Sequence, residues 1–235
     1  NPDLAQVEAD VQRVNLTQFS LFFQEKREFF LENSGLFYVG DAARNLRVRL
    51  TPTSDTDLLP FFSRRIGISD DRQVVPIKGG VRLTGQEAGL MVGGLWMRTS
   101  EITGTPSYDY SVLRLRKNLL RGSDIGGIFL MRNALGGEAD YNRVYGLDSY
   151  FRFPGEIDWS SYYLKSDSPS FDSGQYAWRT SLNREGNFHH IKLGLMELGE
   201  GFTNDLGFFN RTGVRKYFID WGIRPRPEYL RSIGI

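Results

Sequence analysis

Hydrophobic and polar residues alternate with a period of two over residues 79–224. In one of these runs Tyr176 and Trp178 fall on one face, and Ala177 and Arg179 fall on the other. Such alternation indicates β-strands, because successive side chains of a strand point to opposite faces of a sheet. Gly, Pro, Asp and Asn interrupt the runs, as turns require. The pattern predicts about eight or nine antiparallel strands in an up-and-down meander.

The length of the runs favours strands that cross a membrane. Most runs are about ten to thirteen residues long, whereas strands of soluble proteins most often have about five or six. A tilted strand of about nine to eleven residues spans a bilayer. One run, Tyr108–Lys117, changes phase near Val112 and Leu113, which predicts a β-bulge at that point.

The connections between the predicted strands alternate between short and long. Pro154-Gly155 and Arg184–Asn187 are short, whereas Ser166–Gly174 and Gly199–Gly213 are long and mostly polar. Outer-membrane barrels have short periplasmic turns and longer outer loops. The alternation therefore favours an outer-membrane β-barrel, or part of one.

The first 78 residues lack this alternation. Phe19, Phe22, Phe23 and Phe30 have approximately helical spacing, which predicts a helix that ends at residues 33–35. Residues 46–50 could form a short strand. We therefore expect an irregular or short-helical N-terminal segment, residues 1–78, that is plug-like or lies on the periplasmic side. Residues 79–235 would form the barrel strands, as a fragment of a longer barrel.

Composition narrows the class of protein without deciding it. The net charge is +1, from 29 basic and 28 acidic residues, so we expect no nucleic-acid partner. The mean hydropathy of −0.37 is too polar for a bundle of membrane helices. A transmembrane barrel permits it, because only every second residue faces lipid. Aromatic residues make up 14% of the chain, which suits the aromatic girdles of a barrel but also the core of a soluble β-sandwich.

All four tryptophans fall inside predicted strands. They are Trp96, Trp159, Trp178 and Trp221. In a barrel they would be candidates for membrane-facing positions at or near the lipid interface. In a β-sandwich they would instead fill the core.

Few side chains offer catalytic or metal chemistry. The chain has no cysteine and only two histidines, His189 and His190, which as neighbours in a strand point to opposite faces. This composition argues against a zinc site and against a Ser-His-Asp triad. We therefore assign no catalytic residue, metal ligand or cofactor.

Two charged segments in the N-terminal part are candidate ligand-binding residues: Glu25, Lys26 and Arg27, and Arg64 and Arg65. If this stretch is helical, it carries Glu25, Glu28 and Glu32, and two of these carboxylates could act as the catalytic pair of a glycosidase. Charged helix faces are, however, more often ion-paired or solvated. The arginines could fix a plug through ion pairs with the segment around Glu25. They could instead bind an anionic sugar or a lipid headgroup.

Several phrases along the chain resemble a bacterial family of unknown function, the domain-of-unknown-function family 5916. The resemblance is strongest over residues 1–120 and rests on the segments NPDLAQVEAD, FFQEKREFFLE, FFSRRIG and PIKGGVRLTG, with later support from YSVLRLR and LGFFNRT. The family commonly has proline after Glu-Lys-Arg, whereas this chain has Glu28, which favours a continuous helix there.

The resemblance implies a barrel-like domain in the bacterial outer membrane. It also implies an upstream module similar to family 9 carbohydrate-binding modules, and further strands after Arg226 in a full-length relative. The expected partners are therefore outer-membrane lipid, those other parts of the same protein, and a polysaccharide or oligosaccharide. The family supplies no catalytic residues.

We thus expect an all-β, outer-membrane barrel domain of a surface protein, which acts as an anchor, an exporter or a ligand channel. Two alternatives stay open. One is an envelope protein that binds or hydrolyses polysaccharide, so that enzymatic activity is undecided. The other is a soluble β-sandwich interaction domain.

Overall fold

The computed structural model describes residues 25–40, 58–69, 73–136, 140–186 and 188–223. The predicted helical residues Phe19, Phe22 and Phe23 and the predicted short strand at 46–50 lie outside these ranges. None of the described helices is long and apolar enough to cross a membrane.

Nine long antiparallel strands form one sheet in the order of an up-and-down meander. The strands are β2 (Ile77–Glu87), β3 (Leu90–Thr99), β4 (Ser107–Asn118), β5 (Asp124–Leu135), β6 (Tyr141–Phe153), β7 (Ile157–Asp167), β8 (Tyr176–Glu185), β9 (His189–Leu198) and β11 (Val214–Ile223). The predicted number and length of the strands are confirmed. Among the described residues, β2 and β11 are the two edges of an open sheet, so that closure into a barrel is not observed.

The predicted bulge at Val112 and Leu113 is wrong. The pairing of β4 with both neighbours is continuous through these residues, and Leu113 pairs with Gly94 and Phe129. The apparent change of phase arises because Arg114 is buried on the same face as Val112. The irregularity in the sheet lies instead between Ile77 and Gly79.

Connections of different length lie at the two ends of the sheet. The turns 88–89, 119–123, 154–156 and 186–188 join strands at one end, which we call the turn end. The connections 100–106, 136–140, 168–175 and 199–213 lie at the other, which we call the loop end. The short connections thus gather at one end, and the longest at the other.

The N-terminal part packs against one face of the sheet, which we call the inner face. Residues 25–40 and 58–69, together called the inclusion, contain a single helical turn, α1 (Glu28–Leu31), and two short 3₁₀ turns, Ser34–Phe37 and Ser63–Arg65. The predicted continuous helix is wrong over its described part. Arg27 is already extended, with φ −73° and ψ 120°, and the helix ends at Leu31. Asn33 adopts a left-handed conformation, with φ 47°, just before the second turn.

Two short strands tie the inclusion to the longest connection. In them, β1 (Leu58–Leu59) pairs with β10 (Phe208–Phe209). The core lies between the inclusion and the inner face, where Phe30, Phe37 and Ile66 pack with buried side chains of the sheet such as Met97 and Leu130. A single sheet thus buries its inner face against its own N-terminal segment.

Candidate functional site

The outer face of the sheet is apolar and exposed. Each of the nine strands places a large exposed apolar or aromatic side chain on it, as illustrated by Val81, Trp96, Leu113, Ile125, Leu147, Tyr163, Leu182, Leu193 and Ile219. Leu147, near the middle of the sheet, is 72% exposed, and Ile219 is 76% exposed. Isolated exposed apolar residues are ordinary, but a contiguous apolar face of this extent marks a surface that contacts another apolar phase or partner.

Charged side chains of the outer face lie at the ends of the strands. Three cross-strand ion pairs lie at the loop end: Arg98–Asp109 with 2.6 Å between Nη2 and Oδ2, Arg215–Glu197 with 2.9 Å between Nε and Oε2, and Arg143–Asp167 with 3.8 Å between Nη1 and Oδ2. Lys117 and Arg184 lie at the turn end. Two further outward charges are Lys165, two positions inside Asp167 on β7, and Glu87, at the turn end of β2. Between all these positions, the outward side chains of the described strands are uncharged.

The height of this uncharged band can be estimated on β4, where Asp109 and Lys117 bound it. At about 3.3 Å per residue the two residues are about 26 Å apart along the strand. A tilt of about 40° would reduce this to a height of about 20 Å, close to the band of about 25 Å on transmembrane barrels.

The four tryptophans all lie on the outer face. Trp96, Trp159 and Trp221 are exposed and Trp178 is half-buried. The ring of Trp159 stacks on Phe151 at 5.6 Å, and its indole N–H donates to the Thr180 hydroxyl at 2.8 Å. None of the four lies in the core between the sheet and the inclusion.

Beside its apolar core, the inner face carries a buried ion pair. Arg114, on β4, donates two hydrogen bonds to Asp148, on β6, at 2.5 and 2.8 Å. The Arg114 side chain is fully buried. Gly126 lies on β5 between the two strands, and a Cβ there would come within 2.6 Å of the guanidinium. The glycine thus provides the space in which the pair forms.

Arginines of the inner face bind the backbone of the inclusion. Arg114 donates to the carbonyl oxygens of Leu36 and Tyr38, each at 3.3 Å, and Arg82 donates to the carbonyl of Phe29. Carbonyl groups in a segment of little regular structure need such donors when they are buried. These bonds fix residues 29–38 against the sheet.

Close packing completes this contact. A Cβ on Gly93 would lie 2.8 Å from Leu36 Cδ2 and 3.0 Å from Phe37 Cζ. Gly94, its neighbour on the outer face, has nothing within 4 Å of an added Cβ. The absence of a side chain at Gly93 therefore lets the inclusion pack against the sheet, whereas Gly94 takes no part in this contact.

Glu25 and Arg27 form a brace within the inclusion and are not a free binding pair. Arg27 donates to both carboxylate oxygens of Glu25, from Nε at 2.9 Å and from Nη2 at 2.7 Å. Its guanidinium also donates to the carbonyls of Ser63 and Ile66, and the Ser63 hydroxyl donates to Glu25 at 2.7 Å. Burial alone would raise the pKa of Glu25, but the hydrogen bonds and charge of Arg27, with the Ser63 hydroxyl, lower it below its usual value.

The other candidate ligand residues are dispersed. Arg64 is buried, whereas Arg65 is exposed and donates from Nε to the carbonyl of Gly207 at 3.2 Å. Lys26 points to solvent. Glu25 thus pairs within its own segment, with Arg27, and the described positions do not converge on one open pocket.

The histidines lie on opposite faces of β9, as their adjacency predicted. The Nε2 atom of His190 lies 3.5 Å from Oδ1 of Asp220. Among the described residues no group of three or more His, Cys, Asp or Glu side chains could hold a metal ion.

The contacts that hold the inclusion to the sheet come from Arg82, Gly93, Arg114 and Asp148. No pattern in the sequence identified these residues as site residues. A signal was present for one of them. Arg114 falls on the face that Val112 defines as inward, so that strict alternation along β4 places a charge in the core.

The family model of a domain of unknown function, DUF5916, matches residues 1–93. The match confirms the resemblance over the inclusion, β2 and the start of β3. The comparisons with curated proteins and with solved structures found no match.

Proposed function

We propose that this chain forms part of the wall of a bacterial outer-membrane β-barrel, with the inclusion filling part of its lumen. The observation that carries the proposal is the exposed apolar outer face of the sheet, opposite an inner face that buries a charged pair beside its apolar core. Leu147 and Ile219 are exposed on the outer face, whereas Arg114 and Asp148 are buried on the inner face. A soluble protein rarely leaves an apolar face of this extent uncovered, whereas a barrel in lipid presents one outward.

The pairing within the sheet supports the same proposal. In hydrocarbon every backbone N–H and C=O group needs a partner inside the protein. The seven inner strands of this sheet are paired on both sides, with ten to thirteen residues each. The edges, β2 and β11, would pair with further strands of the same protein in a closed barrel.

The role that fits this arrangement best is that of an anchor with an occluded lumen. The inclusion is fastened to the inner face by Arg82 and Arg114 and shares a core with it. A wide, freely open channel would leave this face in water. The barrel thus holds its attached parts at the outer membrane, and a carbohydrate-binding role would belong to those parts.

A soluble β-sandwich is the alternative that the experiment must separate. In a sandwich the apolar outer face would pack on a second sheet. A charge placed there would then be costly, but the protein would fold in water without lipid.

The test introduces a charge in the middle of the uncharged band. Leu147→Arg, measured by equilibrium unfolding of protein refolded in bilayers, is expected to cost about 2–4 kcal/mol, because the guanidinium must enter hydrocarbon. Phe171→Arg is the matched control, since Phe171 is also exposed but lies in the connection 168–175 at the loop end. The control should change stability by less than about 0.5 kcal/mol.

Two results would overturn the proposal. The first is an equal, small effect of both substitutions in bilayers, which would mean that Leu147 faces water. The second is cooperative folding of the unaltered protein in buffer without lipid or detergent, which would favour the sandwich.

A further inference from the structure

The inclusion touches the sheet at different heights along its length, and these contacts trace its path. The first described residues lie at the loop end. Arg27 donates to the carbonyls of Ser63 and Ile66, and the stretch from 60 to 66 is bonded to the longest loop-end connection. There the Asn204 amide donates to Pro60, and the Phe62 N–H donates to Leu206.

From the loop end the chain descends toward the turn end. Phe29 meets Arg82, at the middle of β2. Asn33 then bonds Thr84, and Leu36 lies against Gly93, which pairs with Thr84. The cleft beside residues 33–36 is lined by Gln86 and Met91, next to the first turn of the sheet.

At Leu58 the chain is again at the loop end. Here β1 pairs with β10, which lies in the connection 199–213. After the bridge between Ile68 and Val74, the chain enters β2 at Ile77, which pairs with Thr99 at the same end. Both described limits of the inclusion, at Glu25 and at Ser69, are therefore on the loop-end side.

We infer that the inclusion enters the lumen from the loop end, so that its two described limits, Glu25 and Ser69, lie at the same mouth of the barrel as the long loops. This inference rests on the proposed barrel. If the short turns face the periplasm, as in outer-membrane barrels, residues 25–27 lie on the cell-surface side.

The inference is tested by cysteine labelling, for which the chain is suited because it has no cysteine. Lys26→Cys marks the entry of the inclusion, Ser170→Cys marks a loop-end connection, and Phe188→Cys marks the turn end. All three side chains are exposed. Each variant of the whole protein, in the outer membrane of intact cells, is treated with a membrane-impermeant maleimide before and after permeabilisation of that membrane.

The expected result is that Lys26→Cys and Ser170→Cys react to the same extent in intact cells, while Phe188→Cys reacts several-fold more after permeabilisation. If Lys26→Cys instead follows Phe188→Cys, the inference is overturned even though the barrel stands. If Lys26→Cys and Ser170→Cys are both protected and Phe188→Cys reacts, the same-side inference holds and the sidedness is reversed. Equal labelling of all three in intact cells would contradict the membrane barrel itself, and with it the inference.

Discussion

Arg114 and Asp148 form a bidentate ion pair across two strands of the sheet, at 2.5 and 2.8 Å, on the face that the inclusion covers. The same guanidinium donates to the carbonyls of Leu36 and Tyr38. One buried residue thus joins the sheet to the inclusion. Its charge is compensated by Asp148, so its donors can serve backbone that would otherwise be buried without partners.

Removing Arg114 should be strongly destabilising. Arg114→Met leaves the Asp148 carboxylate buried and unpaired, which typically costs about 3–5 kcal/mol. The free energy of unfolding of the protein refolded in bilayers measures the effect. Arg98→Met is the matched control, because Arg98 forms a similar pair with Asp109 on the outer face but its side chain is 40% exposed, and it should have little effect.

The double variant Arg114→Met with Asp148→Leu removes both charges. It should recover much of the lost stability, since apolar side chains of similar size can replace a buried pair. An Arg114→Met variant as stable as Arg98→Met would contradict the role of the buried pair.

Gly93 should tolerate no side chain, whereas Gly94 should. Gly93→Val places a branched side chain where Leu36 and Phe37 now lie, and we expect a loss of about 1–3 kcal/mol from overpacking. Limited proteolysis should cut residues 25–40 faster in this variant, because the inclusion is displaced from the wall. Gly94→Val faces outward into open space and should leave the cleavage rate unchanged; similar rates for both variants would refute the contact.

The brace between Glu25 and Arg27 should weaken in acid. Because the pKa of Glu25 is lowered in the folded protein from its ordinary value of 4.5, its contribution to stability is complete above that value. The contribution is lost as the pH falls through the lower folded value, where the carboxylate is protonated. Proteolysis of the inclusion should therefore accelerate below pH 4.5.

Glu25→Gln should remove most of this acid sensitivity, with a faster cleavage rate already at neutral pH. Glu28→Gln changes an exposed carboxylate nearby and should keep the original pH profile. An unchanged profile in Glu25→Gln would show that another group controls the inclusion.

The strands could be predicted from the sequence because their signal is local. Alternation around Trp178 and Trp221 assigned both the strands and the face on which these rings lie. The path of the inclusion could not be predicted, because it depends on contacts such as Arg114 with Leu36, which are 78 positions apart in the chain. The helical spacing of the phenylalanines led to a wrong prediction of a continuous helix for the same reason. Phe30 is buried by the core that the inclusion shares with the sheet, and only one helical turn forms around it.

Whether the outer face contacts lipid is measured most directly by tryptophan fluorescence in bilayers that contain brominated acyl chains. Trp221 is the best probe, because it is 62% exposed on the outer face; replacing Trp96, Trp159 and Trp178 by phenylalanine isolates its signal. The proposed barrel predicts strong quenching of Trp221 by bromine in the acyl chains. An unquenched Trp221 in folded, membrane-inserted protein would contradict the assignment of this face to lipid.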